Sequence, residues 1–155
     1  MPGEWQTNKK CNRFSGMSIL TPCALIFALI TLPLQDNAYT PKPNSVERKQ
    51  ILDALRHPVE KELKKAVVFK VDHLKVLNDW AFMRGVPQLP GGKRMEYEGT
   101  PYEEAIKEGM FDDWVCALMR KEEGEWRVVR YAIGATDVVN EGWDTEYKAP
   151  TEIFK

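Results

Sequence analysis

The sequence predicts an α+β fold, an N-terminal helix packed on a mainly antiparallel, curved sheet of four to five strands. Three observations carry this expectation. Ile51, Leu55, Val59 and Leu63 recur every four residues and form one apolar stripe on a helix. Two stretches rich in β-branched and aromatic residues, 66–84 and 113–134, each fold back at a short polar turn and read as hairpins. The order is helix, two strands, long loop, short helix, two strands, helix, which is the layout of an α+β domain.

The front of the chain reads differently from the rest. Residues 1–16 carry Lys9, Lys10 and Arg13 against Glu4 alone, and Met17 to Leu34 is a run of 18 residues without a charge. A basic n-region, an apolar h-region, the helix-breaking Pro33 and the small residue Ala38 are the layout of a secretory signal peptide, with cleavage expected after Ala38. Asp36 departs from the small residue preferred three positions before the cut. The alternative is an uncleaved signal anchor, since the apolar run just suffices to span a bilayer. Pro22 and Pro33 shorten its helix and favour cleavage. Leu20 to Cys23 is not a lipobox, because the apolar run continues past the cysteine. The expected organisation is therefore a signal peptide at 1–38, a Pro-rich linker at 39–45 and a single α+β domain at 46–155. The expected destination is the periplasm or the exterior, with membrane contact only through an uncleaved N-terminal segment.

The chain of 155 residues has 22 basic and 23 acidic side chains. Three of the basic ones and two of the acidic ones (Glu4, Asp36) lie in 1–38, so residues 39–155 carry 19 against 21, a net charge of −2. That balance excludes a nucleic-acid binder on electrostatic grounds. Cys116 is the one cysteine beyond Ala38, so the domain has no internal disulfide and relies on its core. A domain of this size buries about 65% of its unfolded surface.

Each element has its own signal. Asn44 or Ser45 caps the first helix, with Glu47 three residues after Asn44 as in a capping box, and Pro58 either kinks that helix or splits it. Ala66 to Val71 and Leu74 to Val76 read as a strand. Beyond a three-residue turn, Leu77-Asn78-Asp79, Trp80 to Arg84 returns. That register sets Val76 opposite Trp80, Leu74 opposite Phe82 and Asp72 opposite Arg84. Gly85 to Pro101, with four Gly and three Pro, reads as a long loop that is either functional or conceals a short edge strand, for which Lys93–Glu98 is the candidate. Thr100-Pro-Tyr-Glu103 starts a short helix that Gly109 closes. Asp113–Lys121 and Trp126–Gly134 form the clearest hairpin, with Lys121 opposite Trp126 and Cys116 opposite Tyr131. Both its faces are apolar, so its strands are central. Asp137 caps a last helix carrying Val139, Trp143 and Tyr147, and Ile153 and Phe154 dock the tail on the sheet.

Little of this is catalytic grammar. His57, His73 and Cys116 have no metal-ligand spacing, and the sequence implies no metal and no cofactor. No Gly-x-Ser-x-Gly elbow occurs. Weak catalytic candidates are His73, Asp72 and Asp112, which need partners from elsewhere in the chain because neighbours on a strand point to opposite faces. Gly134-Ala-Thr-Asp137 exposes backbone N–H groups, but Asp137 itself would occupy them. Four tryptophans beyond residue 38 are the most informative set. Trp80 and Trp114 are assigned to the core. Trp126, Tyr97, Tyr102 and Arg130 are the candidate exposed binding patch.

At Trp80-Ala-Phe82, Asp112-Asp-Trp114, Gly124-Glu-Trp-Arg-Val-Val129 and Gly134-Ala-Thr-Asp-Val138, the chain resembles small exported bacterial proteins of uncharacterised function. The likeness covers residues 46–154. It implies a bacterial, exported, single-domain protein. The helix-plus-curved-sheet order also looks like a cystatin-like or nuclear-transport-factor-like roll, an analogy of fold alone. The favoured expectation is a non-enzymatic binding or interaction module of the cell envelope. Its partner would be a protein, a peptide or an envelope ligand, taken up on the sheet face and loop 85–101. The alternative is a small hydrolase or isomerase with a pocket between helix and sheet, using His73 and an Asp.

Overall fold

A computed structural model describes residues 37–155. The signal-peptide and anchor readings of residues 1–38 fall almost wholly outside the described residues. Among the described residues, no helix is long and apolar enough to cross a membrane.

Helix α1 (Val46–Leu63) is followed by β1 (Val68–Leu77), β2 (Trp80–Leu89), β3 (Lys93–Arg94), α2 (Glu103–Lys107), β4 (Val115–Glu122), β5 (Glu125–Ile133), α3 (Trp143–Tyr147) and a 3-10 turn (Thr151–Phe154). The strands form one open antiparallel sheet in the order β1-β2-β4-β5, with β3 paired to β2. The α+β class and the antiparallel sheet expected from the sequence are the architecture observed.

Ser45 begins α1, its Oγ accepting the Arg48 N–H at 3.2 Å. Glu47 closes no capping box and instead accepts the Tyr39 hydroxyl at 2.8 Å. Pro58 lies inside one 18-residue helix rather than splitting it, at the cost of a backbone hydrogen bond. Lys64, in the left-handed conformation at φ 55°, ends it. The four stripe residues are all fully buried.

The sheet is covered on both faces because neighbouring residues of a strand point opposite ways. Toward α1 point Leu74, Val76, Ala81, Met83, Val115, Ala117, Met119, Trp126 and Ile133. The other side presents Phe82, Cys116 and Leu118 to Trp143, Ala149 and Ile153 of the C-terminal segment. Phe154 stacks on Phe82 with ring centroids 4.6 Å apart, so the tail docks on the sheet as expected.

Both hairpins differ from the expected register by one residue, and each slip has a local cause. The first turn has two residues, Asn78 (φ 54°) and Asp79, so Trp80 faces Leu77, Phe82 faces Lys75 and Met83 faces Leu74. The same register sets His73, not Asp72, opposite Arg84, and Asp72 then bulges out of the ladder before Val71 pairs with Gly85. In the second hairpin Lys121 faces Trp126 as expected. The register holds through Met119↔Val128, then Val129 bulges out and Cys116 faces Ala132 rather than Tyr131.

Three segments are more ordered, or less helical, than expected. The first five residues of the supposed 85–101 loop continue β2, and Pro87 is tolerated because the pairing of β2 with β4 ends at Gly85. The edge strand within that segment is only Lys93–Arg94. Residues 39–45 are docked rather than free: Tyr39 and Val76 exchange backbone hydrogen bonds of 2.9 and 2.8 Å. The last helix starts at Trp143, not after Asp137, because Gly142 in the left-handed conformation (φ 79°) precedes it. Residues 135–142 are therefore a loop.

Candidate functional site

The expected aromatic patch does not form a surface. Trp126 is 6% and Tyr97 9% exposed, and both belong to the core beneath α1. Trp126 does lie on the face away from Trp114, but that face is the one the helix covers. Its indole N–H is buried without an acceptor among the described residues. Tyr102 is half-buried, and only Arg130 is exposed. The correction has a simple physical cause. On a sheet covered on both sides, an apolar residue beside a polar turn still falls under a roof.

The tyrosines instead anchor the chain. The hydroxyls of Tyr102, on the segment leading into α2, and of Tyr131, on β5, both donate to the Glu62 carboxylate of α1. Tyr97 donates to Asp113, which lies 3.6 Å from Arg94. Lys65 donates to the Glu96 carbonyl at 2.5 Å. Burial, and then the hydrogen bond to Glu62, push the Tyr131 hydroxyl up to about 12. Burial first and a carboxylate acceptor second also raise Tyr97 and Tyr102 well above the ordinary tyrosine range. Together these bonds fasten the segment after β2 to the domain and remove it as an open recognition loop. Glu62 and Tyr131 carry no local sequence signal, being partners separated by 69 residues.

The catalytic candidates do not converge. The His73 ring packs against Phe82, and its Nε2 lies 2.7 Å from the Ile153 carbonyl. A carbonyl only accepts, so Nε2 donates and is spent on holding the tail. Asp112 is exposed, its backbone tied to Gly134. Neither it nor Asp72 pairs with His73. The volume between α1 and the sheet, where the enzyme reading puts its pocket, is filled by side chains. Among the described residues no three His, Cys, Asp or Glu side chains gather as a metal site. Cys116 is fully buried, and desolvation pushes its thiol up to about 12 despite the opposing charge of Arg84.

A better candidate lies on the opposite face, at the edge of the C-terminal cover. A groove of about 310 Å³ is lined by Asp72 of β1, Arg84 of β2, Trp114 just before β4, and Thr136, Asp137, Val138 and Asn140 of the loop after β5. A cavity of about 380 Å³ runs along α1 past Arg48 and Arg56, but apart from Asn44 and Ser45 at its start it is lined by that one helix. A third, of about 320 Å³, joins α1 to the β4–β5 turn and reaches Trp126. The groove at Arg84 is distinguished by four separate segments that bring together both signs of charge and an indole. It is also held in shape. Gly134, at φ 73°, donates to the Trp114 carbonyl at 2.9 Å, and a Cβ there would meet the Phe111 ring at 1.9 Å. Asp72 and Arg84, expected opposite each other, line the same groove unpaired, because the two-residue turn sets His73 opposite Arg84 and Asp72 bulges out of the ladder. Sequence reasoning singled out Asp72 and the Gly134–Asp137 segment, but not Arg84, Asn140 or their meeting.

Fold and groove together define an α+β domain with an antiparallel sheet buried on both faces and one partly open margin. The chain matches no family model, no curated protein and no solved structure.

Proposed function

We propose that this chain is an exported, non-enzymatic binding module of a bacterial cell envelope, with the groove at Asp72, Arg84, Trp114 and Asn140 as its recognition surface. The observation that carries the binding reading is the convergence of four chain segments on one open groove with unpaired charges and an aromatic wall. Export is supported by the basic front, the 18 apolar residues and Ala38.

Two measurements test the proposal. The protein recovered from the periplasm or medium begins near Tyr39 on N-terminal sequencing, whereas a full-length, membrane-bound product overturns cleavage. The immobilised chain retains a component of the envelope extract, and retention falls with Arg84→Gln and with Trp114→Ala. Retention that both variants leave intact moves the recognition surface elsewhere.

A further inference from the structure

The charges in the groove set a constraint that its shape alone does not. The side chains of Arg84, Asp72 and Asp137 make no hydrogen bond or ion pair among the described residues. Arg84 stands on β2 opposite His73 of β1 and Cys116 of β4, so it projects from the same face as Phe82. A guanidinium and two carboxylates therefore share one lining without neutralising each other. A simple anion there is drawn to Arg84 but repelled by two carboxylates, and a simple cation meets the reverse. A ligand carrying both charges satisfies all three groups.

The remaining lining fits the same chemistry. Trp114 is half-buried and Val138 is 69% exposed, which gives an apolar side chain two surfaces to cover. Thr136 and Asn140 add neutral hydrogen-bonding groups. A volume of about 310 Å³ lies at the lower end of small-ligand sites, the size of an amino acid or a dipeptide rather than a cofactor.

We infer that the groove binds a small amphoteric ligand, an α-amino acid or a dipeptide. Its carboxylate lies on Arg84, its ammonium faces the carboxylates of Asp72 and Asp137, and its apolar side chain covers Trp114. This rests on the binding-module reading and names the ligand class of the same surface.

Calorimetric titration of the full chain with four probes tests it: L-leucine, leucyl-leucine, leucinamide (no carboxylate) and N-acetyl-leucine (no ammonium). One of the two zwitterions binds, and each analogue lacking a charge binds at least about tenfold more weakly, the cost of one charge-assisted hydrogen bond. Arg84→Gln weakens the zwitterion about tenfold and abolishes its advantage over leucinamide, while Asp72→Asn with Asp137→Asn abolishes its advantage over N-acetyl-leucine. Tighter binding of L-leucine identifies a free amino acid, and tighter binding of leucyl-leucine identifies a peptide. Analogues that bind as well as the zwitterions overturn the inference. If no probe binds but indole or phenol shifts the Trp114 indole resonance, assigned with Trp114→Phe, the amphoteric class falls and the binding groove stands. If neither shifts it, both fall.

Discussion

The two faces of the sheet are covered by different means. One lies under α1, a single 18-residue helix whose stripe of Ile51, Leu55, Val59 and Leu63 is wholly buried, and whose Glu62 takes hydroxyls from Tyr102 and Tyr131. The other lies under a five-residue helix, a four-residue turn and the loop between β5 and α3. A long amphipathic helix buries its whole stripe on the sheet, and the cavities on its side are lined by its other residues rather than by the stripe. Short pieces cover their side in patches, and the margin they leave is the groove at Arg84. The lesson is that, in this fold, the weaker cover is the face where four chain segments meet at an open margin.

Core truncations test this contrast most severely. Leu55→Ala costs about 3–4 kcal/mol and Ile153→Ala about 2–3, since a site near the chain end collapses more readily around a void. Urea unfolding monitored by far-UV circular dichroism reads both, and equal losses would erase the difference between the faces. Gly134→Ala costs about 2–3 kcal/mol, because the new methyl displaces Phe111 and the residue keeps a left-handed backbone. Its near-UV signal also changes, since Phe111 packs on Tyr97 and Tyr102. Glu62→Gln is milder, about 1–2 kcal/mol, as hydrogen bonds to a charge become neutral ones.

Alkaline titration sharpens the comparison further. Tyr131 and Tyr39 are raised from the ordinary value of 10.0 to about 12, so the folded state holds their protons more tightly than the unfolded chain does. Their contribution to stability is complete below pH 10 and is lost as pH rises from 10 to about 12. Unfolding midpoints measured across that window fall, and fall less in Tyr131→Phe. The smallest effect is on the other face. Cys116, raised to about 12, stays unreactive toward a thiol reagent at mildly alkaline pH until the domain unfolds. Rapid native labelling would mean that the patchwork cover opens readily.

Much of the fold was legible because it is written in consecutive residues. The four-residue spacing of the stripe gave α1, and the turn between Lys121 and Trp126 gave the second hairpin. What was not legible depends on single insertions and on distant partners. The two-residue turn at Asn78–Asp79 and the bulge at Val129 each move a register by one residue, which changes the partner of every side chain beyond it. The burial of Trp126 is hidden for a related reason: alternation shows that a residue has a face, not what covers that face. The candidate site was legible only in pieces. Asp72 and Asp137 stand out as chemistry, but the sequence marks Arg84 only as a residue across the hairpin from Asp72 and Trp114 as core.

The sequence by itself determined the α+β class, the stripe of α1 and the exclusion of an internal disulfide beyond residue 38. The export reading of residues 1–38 rests on it alone. Periodicity and composition suffice for these because they follow from the free energy of burying one face of a local segment. The tertiary structure decided the registers, the buried fate of Trp126 and Tyr97, and the unpaired charges of the groove. Those depend on which segments far apart in the chain meet, and in this protein a two-residue turn, two one-residue bulges and a glycine against Phe111 shape that meeting.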